Sequence, residues 1–144
     1  MTTDKSKKIT ASIRLLNEKL HFEGKADGNV PMSIDYTPPL GDNLGYTSLE
    51  LFLLSLSSCA GSAILVVLRK MNKQVNSFGI TSTGYRKEEH PTGFREINLE
   101  IHLRANDFTQ GDLEKAISRI EGICPVLDMI KGNVVVNFNP RINE

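Results

Sequence analysis

Between Leu49 and Leu68 the chain is apolar on nearly every side of a helix, and that stretch limits what the rest can be. Leu49, Phe52, Leu53, Leu56, Ala60, Ala63, Ile64, Val67 and Met71 recur at helical spacing up to Asn72. The preceding Thr47-Ser48-Leu49-Glu50 fits a capping box. A helix of this kind needs cover on all faces. A chain of 144 residues, 40% of them hydrophobic, has material for one domain spanning 1–144 but for few layers. A second copy of the chain is then the expected source of the missing cover. The stretch is long enough to span a membrane, but Glu50 at its start and the four serines and one glycine within it favour a buried helix of a soluble protein.

The segments around this helix have the period of strands. Ile9, Ala11, Ile13 and Leu15 alternate with Thr10, Ser12 and Arg14, and polar residues around Asn17 mark a turn. Leu20 and Phe22 alternate with His21 and Glu23, Ala26-Asp27-Gly28 turns the chain again, and Val30, Met32 and Ile34 continue the period. A three-stranded antiparallel meander is expected. Residues 38–45, rich in glycine, proline and turn formers, form a loop leading into the helix.

After the helix, Phe78 to Arg86 and Phe94 to Leu103 read as strands joined by Pro91-Thr92-Gly93. Thr109-Gln-Gly-Asp112 opens a second helix carrying Leu113, Ala116, Ile117 and Ile120, with Gly122 placed to end it in a left-handed cap. A short helix starts at Pro125, and Val134 to Val136 after Gly132 closes the chain as a final strand. The order βββα then ββααβ is that of an α+β fold.

Lys plus Arg and Asp plus Glu are both 17, so no net charge favours attraction to phosphate, and no nucleic-acid partner is expected. Met1 to Lys8 carries lysines without the apolar core of a signal sequence behind them, so a cytoplasmic protein is expected. His21, His90 and His102 are scattered without metal-ligand spacing, and no metal is expected. Asp42 and Asn43 lie in the glycine-rich loop without a phosphate-binding fingerprint around them, so no nucleotide or other cofactor is expected. The mixed-sign run from Arg86 to His90 reads as a solvated hairpin end.

Two cysteines in a reducing compartment are not a structural staple. Cys59 falls with Ser55, Ser58 and Ser62 on one narrow face of small side chains, where something can approach the helix closely. It is equally readable as a small buried hydrophobe. Cys124 precedes Pro125, which suits a first helical position, so free amides and the helix dipole would lower the pKa of its thiol. The plainer reading is a turn residue between Gly122 and Pro125. With 59 and 124 so far apart, no CxxC motif is present and only folding can bring the sulfurs together.

The run Glu50-Leu-Phe-Leu-Leu-Ser-Leu-Ser-Ser-Cys59-Ala-Gly-Ser-Ala-Ile64, continuing to Arg69-Lys70, resembles the first cysteine helix of the OsmC/Ohr family of thiol-dependent peroxidases. Glu121-Gly-Ile-Cys124-Pro125-Val126 resembles its second cysteine motif, and the order of elements extends the likeness over nearly the whole chain. The resemblance implies an intertwined homodimer with active sites at the subunit interface. It implies reduction of organic hydroperoxides by a two-cysteine cycle without metal or flavin, in oxidative stress defence, with a dithiol such as a dihydrolipoyl group as reductant.

Carried onto this sequence, Cys59 is the peroxidatic thiol that becomes a sulfenic acid and Cys124 the resolving thiol that closes the disulfide. An arginine paired with a glutamate is implied beside the thiolate. Arg14, alone among the first strands, and Glu50 are the candidates, with Arg86 and Arg95 as further arginines. Glu50 stands nine residues before Cys59, about 900° of helix and hence the opposite face, which suits the capping role. Phe52 and Leu56 are candidates to receive the substrate's tail. The glycine-glycine-arginine signature of the hydroperoxide-resistance branch is absent from the first strands, which leaves a non-catalytic binder of a small ligand or a redox sensor of the same fold as the alternative.

Overall fold

The computed structural model describes residues 5–144, so the first four residues of the Met1–Lys8 segment lie outside the described residues. The element order is β1 (Ala11–Leu15), β2 (Phe22–Ala26), β3 (Met32–Ile34), α1 (Ser48–Lys70), β4 (Ser77–Arg86), β5 (Phe94–Arg104), α2 (Gln110–Ile120), α3 (Pro125–Ile130) and β6 (Val135–Ile142). This is the α+β order that the periodicities predict. The chain divides into two compact units, one ending at Leu51 and the other running from Phe52 to Glu144.

In the first unit β1, β2 and β3 form the expected antiparallel meander. The register sets Ala11 against Ala26, Ile13 against Gly24, Leu15 against Phe22, and Phe22 and Gly24 against Ile34 and Met32. Side chains alternate across a strand, so these eight residues share one face, while Ser12, Arg14, Glu23, Lys25 and Ser33 share the other. Half-burial of the apolar face is the expectation for such a strand, yet β1 is exposed along its whole length, with Ile13 at 63%.

Asp35 follows β3 and is the buried charged side chain among the described residues, at 3% exposure. Its carboxylate accepts hydrogen bonds from the backbone N–H groups of Tyr36 (2.6 Å), Leu44 (3.0 Å) and Asp42 (3.2 Å). Burial raises its pKa, but these three donors, with His21 adding a favourable charge, outweigh burial and hold it below 3.8. One side chain thereby folds the loop from 36 to 45 back on itself. Gly41 is required in that turn, because a Cβ there would run into the Tyr36 carbonyl and the Asp35 carboxylate. Lys19 clamps the same loop from outside by an ion pair to Asp42 at 2.7 Å.

In the second unit β5 is the central strand, antiparallel to β4 and parallel to β6. Ile97, Leu99, Ile101 and Leu103 are buried on one side, while Asn98, Glu100, His102 and Arg104 alternate on the wetter one. Each fully buried aliphatic side chain contributes roughly 1.5–3 kcal/mol relative to exposure, so this strand anchors the unit. Its side chains share a core with Leu56, Ala60, Ile64 and Leu68 of α1 and Leu113, Ala116 and Ile120 of α2. By length and composition α1 could cross a membrane, but its buried residues are spent on this core.

α2 starts at a reciprocal capping box, with Thr109 as N-cap and Asp112 returning a bond to the Thr109 N–H. It ends differently from expectation. Glu121 is the C-cap in a right-handed conformation, and Gly122 is not among the residues with positive φ. The chain turns instead through Cys124 N–H donating to Ile120 O at 2.8 Å, tying the following segment to the last turn of the helix. Left-handed glycine is used later, at Gly132 with φ +87°, where the chain leaves α3 for β6. β6 extends well past Val136 to Ile142, through Pro140 on an edge strand where a missing N–H costs least.

Candidate active site

α1 begins as its sequence dictates. Thr47 Oγ1 accepts from Glu50 N–H at 3.2 Å, and Glu50 Oε1 accepts from Thr47 N–H at 2.8 Å. Glu50 therefore stabilises the helix start, the role its nine-residue offset from Cys59 suggests.

Three turns on, Cys59 is half-buried against the core, next to exposed Ser55, Ser58 and Ser62. The narrow face of small side chains is real, and it is open. Ser58 turns its hydroxyl back to the Ser55 carbonyl at 3.2 Å, which keeps that face low and smooth.

Cys124 reaches the same place from the far end of the chain. α3 forms with Pro125 in its first turn and Cys124 as N-cap residue. Its backbone carbonyl accepts from Asp128 N–H at 3.1 Å, the first bond of the helix. Its side chain turns inward and is 1% exposed, within hydrogen-bonding reach of the Cys59 thiol. Folding thus brings together two sulfurs carried by α1 and by the start of α3.

The expected lowering of the Cys124 pKa is reversed. Burial, followed by the neighbouring Cys59 thiol, pushes it from 9.0 up to about 11, and the N–H groups of Leu127 and Val126 pull the other way without prevailing. The helix has only six residues and the side chain makes no capping bond among the described residues, so the dipole effect is weak where desolvation is strong. At neutral pH Cys124 holds its proton.

Each arginine candidate has a partner of its own. Arg14 lies opposite Glu23 in the register and pairs with it at 3.5 Å, with its side chain 70% exposed. Arg86 donates through Nε to the Thr92 carbonyl at 2.6 Å and also bonds the Thr92 hydroxyl, fastening the turn between β4 and β5. Arg95 stands over the Tyr85 ring at 5.9 Å. Phe52 packs against Phe94 with ring centroids 6.0 Å apart, and Leu56 is fully buried in the core. No group of three metal-ligating side chains occurs among the described residues.

Asp35 is the residue that pattern reading passes over. The available signal was an aspartate at the mouth of a loop rich in proline and glycine, a position from which a carboxylate can gather turn amides.

Comparison with known proteins agrees with this layout. Residues 41–139 match the model of the OsmC family, described as OsmC-like protein. No curated protein sequence matches the chain significantly. Among solved structures, a hypothetical protein from Aquifex aeolicus VF5 superposes with TM-score 0.82 at 24% identity, over 95% of this chain and 97% of that one. An OsmC-like protein from Mycoplasma pneumoniae gives 0.80 at 22% identity, over 99% and 100%. An organic hydroperoxide resistance protein from Elizabethkingia anophelis gives 0.74 at 21%, also over 99% and 100%.

Proposed function

The chain belongs to the OsmC family, and on that premise we propose that it is a thiol-dependent peroxidase that reduces organic hydroperoxides through Cys59 and Cys124. The observation that carries this reading is the meeting of a half-exposed and a fully buried thiol within hydrogen-bonding reach.

The Cys59 thiolate attacks the terminal oxygen of the peroxide, the O–O bond breaks, and the alkoxide leaves and takes a proton, so the peroxide gains two electrons and Cys59 becomes a sulfenic acid. Cys124 then attacks that sulfur. Its retained proton departs with the sulfenic hydroxyl as water, and the disulfide closes. A dithiol of the lipoyl type restores both thiols. The narrow open face along Ser55, Ser58 and Ser62 gives the peroxide its approach.

A homodimer belongs to the same proposal, supported by the uncovered apolar face of β1 to β3, where Ile13, Leu15 and Met32 remain exposed. A cytoplasmic location fits a cycle that needs reduced thiols.

A second reading has its own observation. Glu50 is spent on the Thr47 capping box, and a chain that lacks this glutamate beside its thiolate suits a slower redox sensor. Stopped-flow consumption of tert-butyl hydroperoxide and hydrogen peroxide by the reduced protein, beside Cys59→Ser and Cys124→Ser, separates the two. Fast consumption of one equivalent of peroxide that is lost in Cys59→Ser, ending in a disulfide in the unsubstituted protein and in a sulfenic acid in Cys124→Ser, supports the peroxidase. Slow peroxide loss that is indifferent to Cys59 sinks it.

A further inference from the structure

We propose that the disulfide between Cys59 and Cys124 is reopened by attack of an external dithiol on Cys59 Sγ, through the same mouth that admits the peroxide, with Cys124 always the sulfur that leaves. This rests on the two-cysteine reading above and adds which sulfur the reductant must reach.

Access decides which sulfur is attacked. Thiol–disulfide exchange puts the incoming sulfur in line with the S–S bond, beyond the sulfur it attacks. Cys124 is 1% exposed and lies in the buried cluster with Ile120 and Leu127, so the space an attacker of Cys124 needs is occupied by core. Cys59 is half-buried on a helix face whose serines are exposed. Covering the chain with a second copy can only remove surface, so no assembly makes Cys124 reachable.

The step balances. The new bond joins one sulfur of the dithiol to Cys59 Sγ, the protein S–S bond breaks, and its electron pair goes to Cys124, which takes up a proton. The second sulfur of the dithiol then attacks the first, closing the reductant's own disulfide and releasing Cys59. Leaving-group chemistry works against a thiol that binds its proton as firmly as Cys124, because the more acidic thiol departs faster. Burial overrides that preference, since a sulfur that cannot be reached is not attacked at any rate.

The full chain, oxidised with diamide, is first checked for the Cys59–Cys124 bond by peptide mass mapping. It is then treated briefly with glutathione, quenched in acid and mapped again. Glutathione on Cys59 with Cys124 free is the expected result, in at least roughly tenfold excess over the reverse adduct. In parallel, native Cys124→Ser is expected to react with Ellman's reagent roughly tenfold or more faster than native Cys59→Ser. Glutathione mainly on Cys124, or equal rates in the two variants, overturns the inference while leaving the two-cysteine cycle standing. Failure of the disulfide to form overturns the cycle itself, and the inference with it.

Discussion

Gly61 of the central helix faces Phe78 of β4 so closely that a Cβ on it would lie 3.1 Å from Phe78 Cε1 and 3.5 Å from Ile80 Cδ1. The absent side chain is what lets α1 lie close against β4. Two effects oppose each other in Gly61→Ala: about 1 kcal/mol of helix propensity is gained, and a contact too tight by a few tenths of an ångström is created. They nearly cancel. Gly61→Val adds two methyl groups to the same gap and is expected to destabilise by roughly 1–3 kcal/mol. Urea unfolding of the three proteins checks this, and a valine variant as stable as the alanine one would show that the gap is not tight.

Asp35 makes the loop from 36 to 45 sensitive to acid. Its pKa in the folded chain lies below 3.8, so its stabilising effect is complete above that value and is lost as pH falls through the depressed folded value. Hydrogen exchange at Tyr36, Asp42 and Leu44 is expected to quicken in Asp35→Ala at neutral pH, with Asp35→Asn intermediate because it keeps one acceptor oxygen. Unchanged protection in Asp35→Ala would mean that the loop holds its form without the carboxylate.

For Cys124 the sign is reversed. A thiol whose folded pKa is raised from 9.0 to about 11 stabilises the fold below pH 9, and that contribution drains away as pH climbs through 11. Thiolate absorbance of reduced Cys59→Ser, where burial remains the leading cause, should reach its midpoint well above pH 9. A midpoint at or below pH 9 would contradict the buried placement.

The apolar face of the first sheet gives an assembly test. Ile13→Asp puts a charge in the middle of that face, and an assembly built on it is expected to dissociate, seen as a halving of mass in sedimentation equilibrium at micromolar concentration. Should the unsubstituted protein already sediment as a monomer, the dimer proposal fails outright.

Much of this architecture was readable in advance because its signals are local. The capping box at Thr47, the two-residue alternation of β5 and the proline after Cys124 each fix an element using a few neighbours in sequence. What escaped depends on distant groups. The direction of the Cys124 pKa shift is set by how deeply that sulfur is buried and by Cys59, which no local pattern encodes. Gly122 had the right composition for a left-handed cap, but the Cys124 N–H reached the Ile120 carbonyl and ended the helix without one. The full length of β6 was hidden by Pro140 and by the asparagines of its exposed side, whose meaning appears only once β5 lies alongside.

The two cysteines bracket most of the second unit, since β4, β5 and α2 all lie between them in the chain. A bond between the two sulfurs would enclose that whole stretch in one covalent ring, and closing a loop of this length removes about 4 kcal/mol of freedom from the unfolded chain on the chain-entropy account. The redox cycle would then also be a cycle of mechanical resilience. The molecule would be toughest when it has just spent its reducing power and most open to unfolding when it is ready to act, so a heat ramp or a protease could read its oxidation state without any chemical probe.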